Sequence, residues 1–404
     1  MKVGHERVSV AMKSLGKMLL AAIAIASLLA SAPARAEQRP GDLLGNVVRV
    51  LERSYFDRTF REQSLQPLAR RAMQSARSSR TFEEEREVIH DFLSNIPTSH
   101  LALISRQGYE GLMAELDNRE RPTFGFGMVN LEGAYFVSSL LEDGAAAKAG
   151  LRRGDRVIRV DGVPIAESER LDWRTDDAAL PDPPKHSLRC SRGDSVELVV
   201  EREPGRFGRL EIRAERDSAF RAATRSVREI ERRGKRVGYV HFWYMHHHGL
   251  GKLLRGLIED RFSDCDALVL DLRGRGGSTW AVTSVLAVLD WAEREWGRPV
   301  VALIDRGTRS AKEILAYELR RQRLATLVGD RTPGAVIPAT FRDVGFGAVL
   351  MFPSFSLGSY TDRLEGQGVA PDIRVSDRLP YANGRDPILE AGLDYLTAPR
   401  RRSI

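Results

Sequence analysis

The segment DRGTRSAKEILAYEL, residues 305–319, contains a serine whose position allows two chemical roles. Ser310 follows the apolar run VVALID, which is typical of a buried strand, and precedes apolar residues with helical spacing. Together with Glu313 it fits a capping box, in which serine accepts the third amide and glutamate reaches back. A serine at this turn could also be a nucleophile, because free amides at a helix N-terminus stabilise a developing oxyanion. The two roles are compatible.

Other groups of reactive side chains have less support. The histidines at 246–248 could ligate a metal, but adjacent imidazoles do not easily face one ion, and no acidic or cysteine partner has suitable spacing. We therefore expect no metal and no cofactor. The RGRGG run lacks the Lys-Ser/Thr that completes a phosphate loop. Cys190 and Cys265 could pair in an oxidising compartment, and a buried free thiol at Cys265 is an equal alternative.

The elements around Ser310 alternate between strand and helix. The strand-like runs GYVHFW, LVLDL, VVALID and TLVG are separated by the helix-like runs LGKLLRGLIED, TWAVTSVLAVLDWAER and AKEILAYELRRQ. This alternation predicts a layered α/β core, which we assign to residues 216–404. Residues 37–118 show apolar spacing of three and four and are expected to be helical.

Residues 119–215 have a different pattern, in which short alternating runs are divided by Gly and Asp-Gly turns. The segments PTFGFGM and AAAKAGLRRGDRVIRVDG resemble a PDZ domain of the type found in exported bacterial proteases. The resemblance implies that Gly125, Phe126 and Gly127 offer backbone amides to a terminal carboxylate while a peptide adds as a strand. The helix that walls the groove in such a domain would fall near 167–187, where the helical pattern is poor.

The succession GYVHFW, LVLDLRGRGGS, IDRGTRSAKEILAYEL and LVGDRTPGA resembles the serine peptidase family of carboxyl-terminal processing (tail-specific) and tricorn-like proteases. The resemblance covers most of the chain after residue 36. It implies a Clp-crotonase-like α/β core with a helical N-terminal region and an inserted PDZ domain. It makes Ser310 the nucleophile, with the amide of Ala311 and an amide of Gly276 or Gly277 as the oxyanion hole.

A serine nucleophile needs a base, and the best-known branch of this family uses a lysine. That lysine follows a VGExT motif, but the matching stretch here, VGDRTPGAV, has Ala335 at its position. Lys312 is near Ser310 on the same helix but should project away from it. A Ser-Lys dyad is therefore not expected.

The tricorn-like branch uses a Ser-His-Glu triad, and the resemblance supplies both partners. Its histidine motif matches IPTSHLALIS, which gives His100, with Thr98 where that branch has an aspartate. Its glutamate motif matches LEGQGVAPDI, which gives Glu365. We expect Glu365 to hold one ring nitrogen of His100 while the other takes the proton of Ser310.

Residues 1–36 have the pattern of a secretory signal peptide. Lys13 and Lys17 precede an apolar run that is too short to span a membrane comfortably, and a small-x-small pattern ends at Ala36, the expected cleavage site. The protein is thus expected to be periplasmic or secreted. Loss of five basic residues and one acidic residue would lower the formal net charge from +7 to about +3. The remaining charges are interleaved, so nucleic acid is not an expected partner.

These patterns predict an exported serine endopeptidase that hydrolyses unfolded or tail-exposed polypeptides through an acyl-enzyme. The length of 404 residues and the hydrophobic fraction of 42% are those of a globular chain with two or three domains. One alternative is an inactive family member that binds peptides or partners through its PDZ domain. A second is a hydrolase of small esters or lipids, because function depends on the site rather than the fold. The sequence gives no prediction of oligomeric state.

Overall fold

The computed structural model describes residues 41–172 and 185–399. The predicted signal peptide and its cleavage site lie outside the described residues, as does most of the stretch where a groove helix was sought. No helix in the described ranges is long and apolar enough to cross a membrane.

The N-terminal region is mainly helical, as predicted. Its helices are α1 (Asp42–Ser54), α2 (Arg58–Phe60), α3 (Gln66–Ala76), α4 (Phe82–Ser94) and α5 (Arg106–Leu116), with a π-helical turn Arg61–Leu65 between α2 and α3. The apolar stripes of α1, α3 and α4 pack on one another in a common core. The helical pattern does not reveal strand β1 (Ala102–Ser105), which follows His100 closely. Because β1 pairs antiparallel with a later strand, Ala348–Pro353, it attaches the His100 segment to the rest of the protein.

The second unit is a β-sheet with its own apolar core. Its elements are β2 (Arg121–Thr123), β3 (Phe126–Leu131), β4 (Ala134–Leu140), α6 (Ala145–Lys148), β5 (Arg156–Val160), β6 (Val163–Pro164), a 3-10 turn (Ile165–Glu167), β7 (Lys185–His186), β8 (Ser195–Glu203), β9 (Arg206–Arg213) and β10 (Glu215–Asp217). Seven strands form one sheet in the order β7-β3-β4-β5-β8-β9, with β6 beside β5. Strands β2 and β10 pair separately. Alternate residues of β8 point into the core, which explains the alternating run SVELVVER in the sequence.

The third unit confirms the predicted alternation of strand and helix. Its elements are α7 (Ala219–Ser226), β11 (Arg228–Arg232), β12 (Lys235–His241), α8 (Gly249–Glu259), β13 (Ala267–Asp271), α9 (Thr279–Glu295), β14 (Val300–Ile304), α10 (Ala311–Gln322), β15 (Thr326–Gly329), β16 (Ala339–Gly345), β17 (Ala348–Pro353), α11 (Ser359–Leu364), β18 (Ile373–Arg374) and α12 (Pro387–Thr397). Six strands form a sheet in the order β11-β12-β13-β14-β15-β18, parallel from β12 onward. A smaller sheet has the order β1-β17-β16.

The central sheet is buried on both faces. One face packs against α8, α9 and α10, and the other packs against α12. Strands covered on both sides read as continuous apolar runs, which is why VVALID and DALVLDL lack alternation. Because β12, β13 and β14 are parallel, the loops that follow them meet at one edge of the sheet. That edge carries both the RGRGG run and Ser310.

Both cysteines are free thiols. Cys190 is half-buried in the PDZ-like sheet, and Cys265 is buried just before β13. The alternative of a disulfide is therefore wrong for this structure. The buried free thiol expected for Cys265 is confirmed.

Candidate active site

Ser310 lies at the turn between β14 and α10, in a strained backbone conformation. Its φ of 56° and ψ of −128° belong to a region that residues with a side chain rarely adopt. The Ser310 amide donates to the carbonyl of Ala335 at 2.8 Å, which helps to hold the turn. A sharp strand-to-helix turn of this kind exposes the side chain of a nucleophile at the edge of a sheet.

The predicted capping box is not formed. The side chain of Ser310 caps no amide of α10, and Glu313 does not reach back to it. The buried carboxylate of Glu313 instead accepts from the hydroxyl of Thr332 at 2.5 Å and from the amides of Gly334 and Ala335 at 2.7 Å each. The capping prediction was wrong because the positive φ of Ser310 and these distant donors could not be read from local spacing. Ser310 thus keeps its hydroxyl available for chemistry.

The glycine loop that follows β13, residues 274–277, packs directly against the turn at Ser310. A Cβ atom placed on Gly276 would lie 3.3 Å from the Cβ atom of Ser310, a contact tight enough to push the two segments apart by a few tenths of an ångström. Within the described part of the chain, the amides of Ala311, Gly276 and Gly277 have no hydrogen-bond partner. The amide of Ala311 is also one of the free donors of the α10 N-terminus. Two of the three expected oxyanion donors, Ala311 and Gly276, thus lie beside Ser310, and Gly277 follows Gly276 in the loop.

His100 lines the same cavity as Ser310, on the short segment between α4 and β1. Its φ is 58°, and its Nδ1 atom lies 2.9 Å from the hydroxyl of Ser99. Burial and the nearby positive charge of Arg309 lower the pKa of His100 to about 3, so its imidazole is neutral at ordinary pH. Among the described residues, no hydrogen bond joins the ring to Ser310, a contact that often forms only with substrate bound.

Glu365 does not contact the His100 ring as expected. One carboxylate oxygen accepts from the amide of Ser99 at 2.7 Å, and the other accepts from the amides of Val336 at 2.9 Å and Ile337 at 3.2 Å. Glu365 therefore fixes the residue that contacts His100, and its place is that of a positioning residue. Sequence reasoning missed Ser99, whose one signal was its position next to the candidate base.

The segment that carries His100 is also fixed from the helical side. Thr98, at the position where the resembling branch has an aspartate, is buried and hydrogen-bonds to Tyr55 at the end of α1. Burial raises the pKa of Tyr55 to about 12, so its hydroxyl stays protonated and can donate. Thr98 therefore makes a neutral structural contact here.

Lys312 is fully buried and directed at backbone carbonyls. Its Nζ atom donates to the carbonyl of Trp243 at 3.0 Å and to that of Arg273 at 3.2 Å. Burial lowers the pKa of Lys312 to about 7. Arg273 immediately precedes the glycine loop, so Lys312 supports the loop that would form the oxyanion hole.

Ser310 and His100 face one large cavity of about 1990 Å³. Its wall includes Ser310 and His100, residues of the α/β core, and the Gly125–Gly127 stretch of the PDZ-like sheet. A cavity of 300–1,000 Å³ is typical for a small ligand, so this one has room for an extended chain.

Comparison with known proteins identifies the families and relatives to which this chain is similar. The model for peptidase family S41 matches residues 283–375, and that for a PDZ domain matches residues 136–178. The chain is 26% identical over 343 residues to the putative tricorn protease homolog 2 of Streptomyces coelicolor, covering 76% of this chain and 28% of that protein. It is 24% identical over 381 residues to the carboxyl-terminal-processing protease of a Synechocystis species, covering 86% and 85%. The solved photosystem II D1 C-terminal processing protease aligns with a TM-score of 0.48 and 18% identity, covering 90% and 98%.

These matches indicate a serine-type peptidase that is similar to family S41 and has a PDZ domain. The chain spans 28% of the length of the tricorn homolog and 85% of the Synechocystis protease. The suspected resemblance and the predicted fold are confirmed. The S41 match begins after the glycine loop and includes Ser310 and Glu365.

The peptide-binding edge of the PDZ domain is partly occupied. Strand β7 pairs antiparallel with β3 at Met128 and Val129, the edge along which a peptide strand would extend. The amide of Gly125 already donates to the hydroxyl of Thr123 at 3.0 Å. Continuous strand addition along β3 would therefore require β7 to move, which leaves only Phe126 and Gly127 for a chain terminus.

The histidine run at residues 246–248 does not converge on one point. His246 stacks on Tyr244 with ring centroids 4.5 Å apart, His247 packs on Phe220 at 4.4 Å, and His248 stacks on Trp280 at 3.8 Å. Each imidazole faces a different aromatic ring, and each serves as part of the packing beside the cavity.

Replacing Glu313 by glutamine is expected to destabilise the protein by about 1–3 kcal/mol. Burial raises the pKa of Glu313 to about 7, while its three donors act in the opposite direction. A glutamine would turn an NH₂ group toward backbone N–H donors and leave a buried donor without an acceptor. Urea unfolding measures the change. Glu390→Gln, at an exposed glutamate in α12, is the control and should change stability by less than about 0.5 kcal/mol. Equal stability of the two variants would contradict this role of Glu313.

Replacing Gly334 by alanine is expected to cost at least about 2 kcal/mol and to reduce activity. Its φ is 78°, and an added Cβ atom would lie 2.6 Å from the amide nitrogen of Gln367, which belongs to backbone that would have to shift. The shift would separate the loop bound by Glu313 from the loop that carries Glu365.

Gly256→Ala is the matched control, because Gly256 lies inside α8 and an added Cβ atom would meet nothing within 4 Å. That variant is expected to gain about 0.5–1 kcal/mol from helix propensity. Thermal unfolding and a cleavage assay measure both effects. If Gly334→Ala were as stable and active as the wild type, the close packing of the two loops would not matter.

Proposed function

We propose that this chain is an exported serine endopeptidase that cleaves unfolded or tail-exposed polypeptides through an acyl-enzyme. The observation that carries the proposal is the geometry at Ser310. Its hydroxyl is uncapped on a strained turn beside unpaired amides, and it faces the same cavity as a neutral imidazole. A nucleophile, an oxyanion site and a base are the parts that acyl transfer requires.

In the proposed first step, the Oγ atom of Ser310 attacks the peptide carbonyl while Nε2 of His100 takes the hydroxyl proton. For Nε2 to accept, Nδ1 carries the other ring proton and donates it to the hydroxyl of Ser99. The amide of Ala311 and an amide of Gly276 or Gly277 stabilise the oxyanion. His100 then gives its proton to the leaving amine, and a water attacks the acyl-enzyme to release the second product and restore Ser310.

Glu365 supports this chemistry without touching the ring. Its carboxylate joins the Ser99 amide to the amides of Val336 and Ile337, which come directly after the Ala335 carbonyl that holds the Ser310 amide. The carboxylate therefore links the segment of the base to the segment of the nucleophile. A shift of about 1 Å in such an arrangement is enough to reduce a rate strongly.

The proposed substrate is a polypeptide because of the shape of the cavity and its neighbours. The cavity extends from Ser310 to Gly125, Phe126 and Gly127, so one chain could lie in the site while its end reaches the PDZ domain. The names of the curated relatives refer to carboxyl-terminal processing. A small-ester hydrolase would not need this space.

The test combines covalent labelling with cleavage. Protein from Glu37 onward is treated with a fluorophosphonate, and the modified residue is mapped by mass spectrometry while cleavage of a reduced, unfolded model protein is followed. We expect one label, on Ser310, and a parallel loss of cleavage. Urea-unfolded protein, which should not react, is the control. A label elsewhere would overturn the mechanism, and absence of both label and cleavage would favour the inactive, peptide-binding alternative.

Export is proposed from the signal-like segment and has a separate test. The full chain, expressed in a Gram-negative host, is expected in the periplasmic fraction or the medium, with Glu37 as its first residue by N-terminal sequencing. A charged residue in place of a leucine in the apolar run should block processing. Cytosolic protein that keeps residues 1–36 would contradict export.

A further inference from the structure

The wall of the cavity is positively charged. Among the described residues, twelve lysine or arginine side chains line it, against seven aspartates and glutamates. The formal charge of the whole chain is +7 over 404 residues, so this excess is concentrated in one place. A cleft lined by one sign of charge focuses the field and attracts ligands of the opposite sign.

The seven carboxylates of the wall are already engaged within the protein. Glu115 pairs with two arginines, Asp217 with one, and Asp386 with the guanidinium of Arg273. Asp172 and Asp377 each face an arginine, Glu142 accepts from the ring nitrogens of His241 and Trp243, and Asp305 accepts from the amide of Gly307. Their negative charge is thus largely neutralised before any substrate arrives.

Within the described part of the chain, three arginines of the wall have no carboxylate partner. Arg152 donates to the side-chain oxygen of Asn383 at 2.7 Å, and Arg228 lies over the ring of Tyr239, 3.8 Å from its centre. Arg378 is exposed and makes no hydrogen bond or ion pair with any described residue. All three line the cavity: Arg228 begins β11, Arg378 lies within residues 377–386, and Arg152 contacts that segment through Asn383.

The strand order sets the distance of Arg228 from the nucleophile. Arg228 pairs with Tyr239 near the carboxyl end of β12, and Ser310 follows β14, so three strand spacings separate β11 from the strand before Ser310. At about 4.8 Å per spacing this is roughly 14 Å, which an extended peptide covers in about four residues.

We propose that the cavity selects polypeptides with acidic side chains, which Arg152, Arg228 and Arg378 bind, and that Arg228 binds the one about three to five residues from the scissile bond. This deepens the proposed function and rests on it for the position of the cut. The selection is electrostatic, so it acts on affinity and weakens with salt.

The first arm of the test measures binding without hydrolysis. Ser310→Ala protein is titrated with three fluorescent peptides of one sequence that carry Glu, Gln or Lys at the same three positions. At about 20 mM NaCl we expect the Glu peptide to bind about tenfold more tightly than the Lys peptide, with a smaller ratio at about 300 mM. Arg152→Glu with Arg378→Glu should remove or invert the preference. The control, Arg192→Glu with Arg298→Glu, makes the same charge change at exposed arginines outside the cavity wall and should keep it.

The second arm measures cleavage by the wild type of peptides in which one Glu is moved along the sequence. We expect kcat/KM to peak when Glu lies three to five residues from the cut. Binding that ignores charge, or a preference unchanged by the cavity variants, would overturn the inference even if every peptide is cleaved. Charge-dependent binding without cleavage would support the inference and count against the proposed function.

Discussion

Replacing Ser310 by glycine is expected to abolish peptide hydrolysis and to increase the free energy of unfolding. The loss of the nucleophile should reduce kcat by about 10⁶-fold, as in other serine hydrolases. The gain in stability has a different origin. The φ of 56° and ψ of −128° at this position strain any residue with a Cβ atom, and glycine relieves that strain. Glycine also has more conformational freedom in the unfolded chain, and this offsets part of the gain. We therefore expect a net increase of about 1 kcal/mol in the free energy of unfolding, measured with urea.

Two variants separate chemistry from strain. Ser310→Ala should lose the same activity but keep the Cβ atom, so its stability should stay within about 0.5 kcal/mol of the wild type. Ser278→Gly is the matched control, because Ser278 also precedes a helix, α9, but in an extended conformation with φ of −116°. Glycine should not stabilise that turn. If Ser310→Gly were no more stable than Ser310→Ala, the backbone at Ser310 would not be strained. Peptide hydrolysis by either variant would show that another residue is the nucleophile.

A trade-off of this kind is expected where a fold stores strain at a reactive residue. The strain at Ser310 is balanced by the segment opposite it, residues 334–337. Glu313 accepts hydrogen bonds from the amides of Gly334 and Ala335, and Glu365 accepts from the two amides that follow. Four successive amides are thus bound by two carboxylates. Since the Ala335 carbonyl also binds the Ser310 amide, this segment fixes the nucleophile on one side and the base on the other.

The order of elements in the core could be predicted from the sequence because it depends on local patterns. The apolar run before Ser310 reflects burial of β14 on both faces, and the apolar residues after it belong to α10, which is buried over most of its first nine residues. The PDZ domain was recognisable for the same reason, since its turns follow the alternation of its strands. Such local patterns predict elements of secondary structure without knowledge of the tertiary structure.

The contacts that position the site were beyond such patterns. The bond from the Ser99 amide to Glu365 spans 266 residues, and nothing local distinguishes it from the expected bond between Glu365 and His100. The prediction of a capping box was wrong for a similar reason, because Glu313 accepts hydrogen bonds from residues 19–22 positions away in the chain. Strand β7, which covers β3, has only two residues and follows a stretch without strand pattern.

Replacing His100 by alanine is expected to reduce kcat/KM by about 10⁴-fold or more, since the base is lost while the oxyanion hole remains. Ser99→Ala and Glu365→Gln should lose less, about 10- to 100-fold, because they position the ring rather than accept the proton. Steady-state kinetics should place most of each loss in kcat. A His100→Ala enzyme with nearly full activity would exclude His100 as the base.

The same residue gives a pH dependence whose sign follows from its environment. Burial and Arg309 lower the pKa of His100 to about 3, whereas in the unfolded chain the imidazole titrates near pH 6.5. Below about pH 6.5 the unfolded chain takes up a proton that the folded chain does not, so the contribution of His100 to the free energy of unfolding falls as pH falls. His100→Gln should lack this dependence. In NMR titrations, the His100 ring signal is identified as the one that is absent from His100→Gln. Its chemical shift should not change between pH 8 and 5. A titration midpoint near 6.5 would show that the ring is solvated and not held beside Ser310.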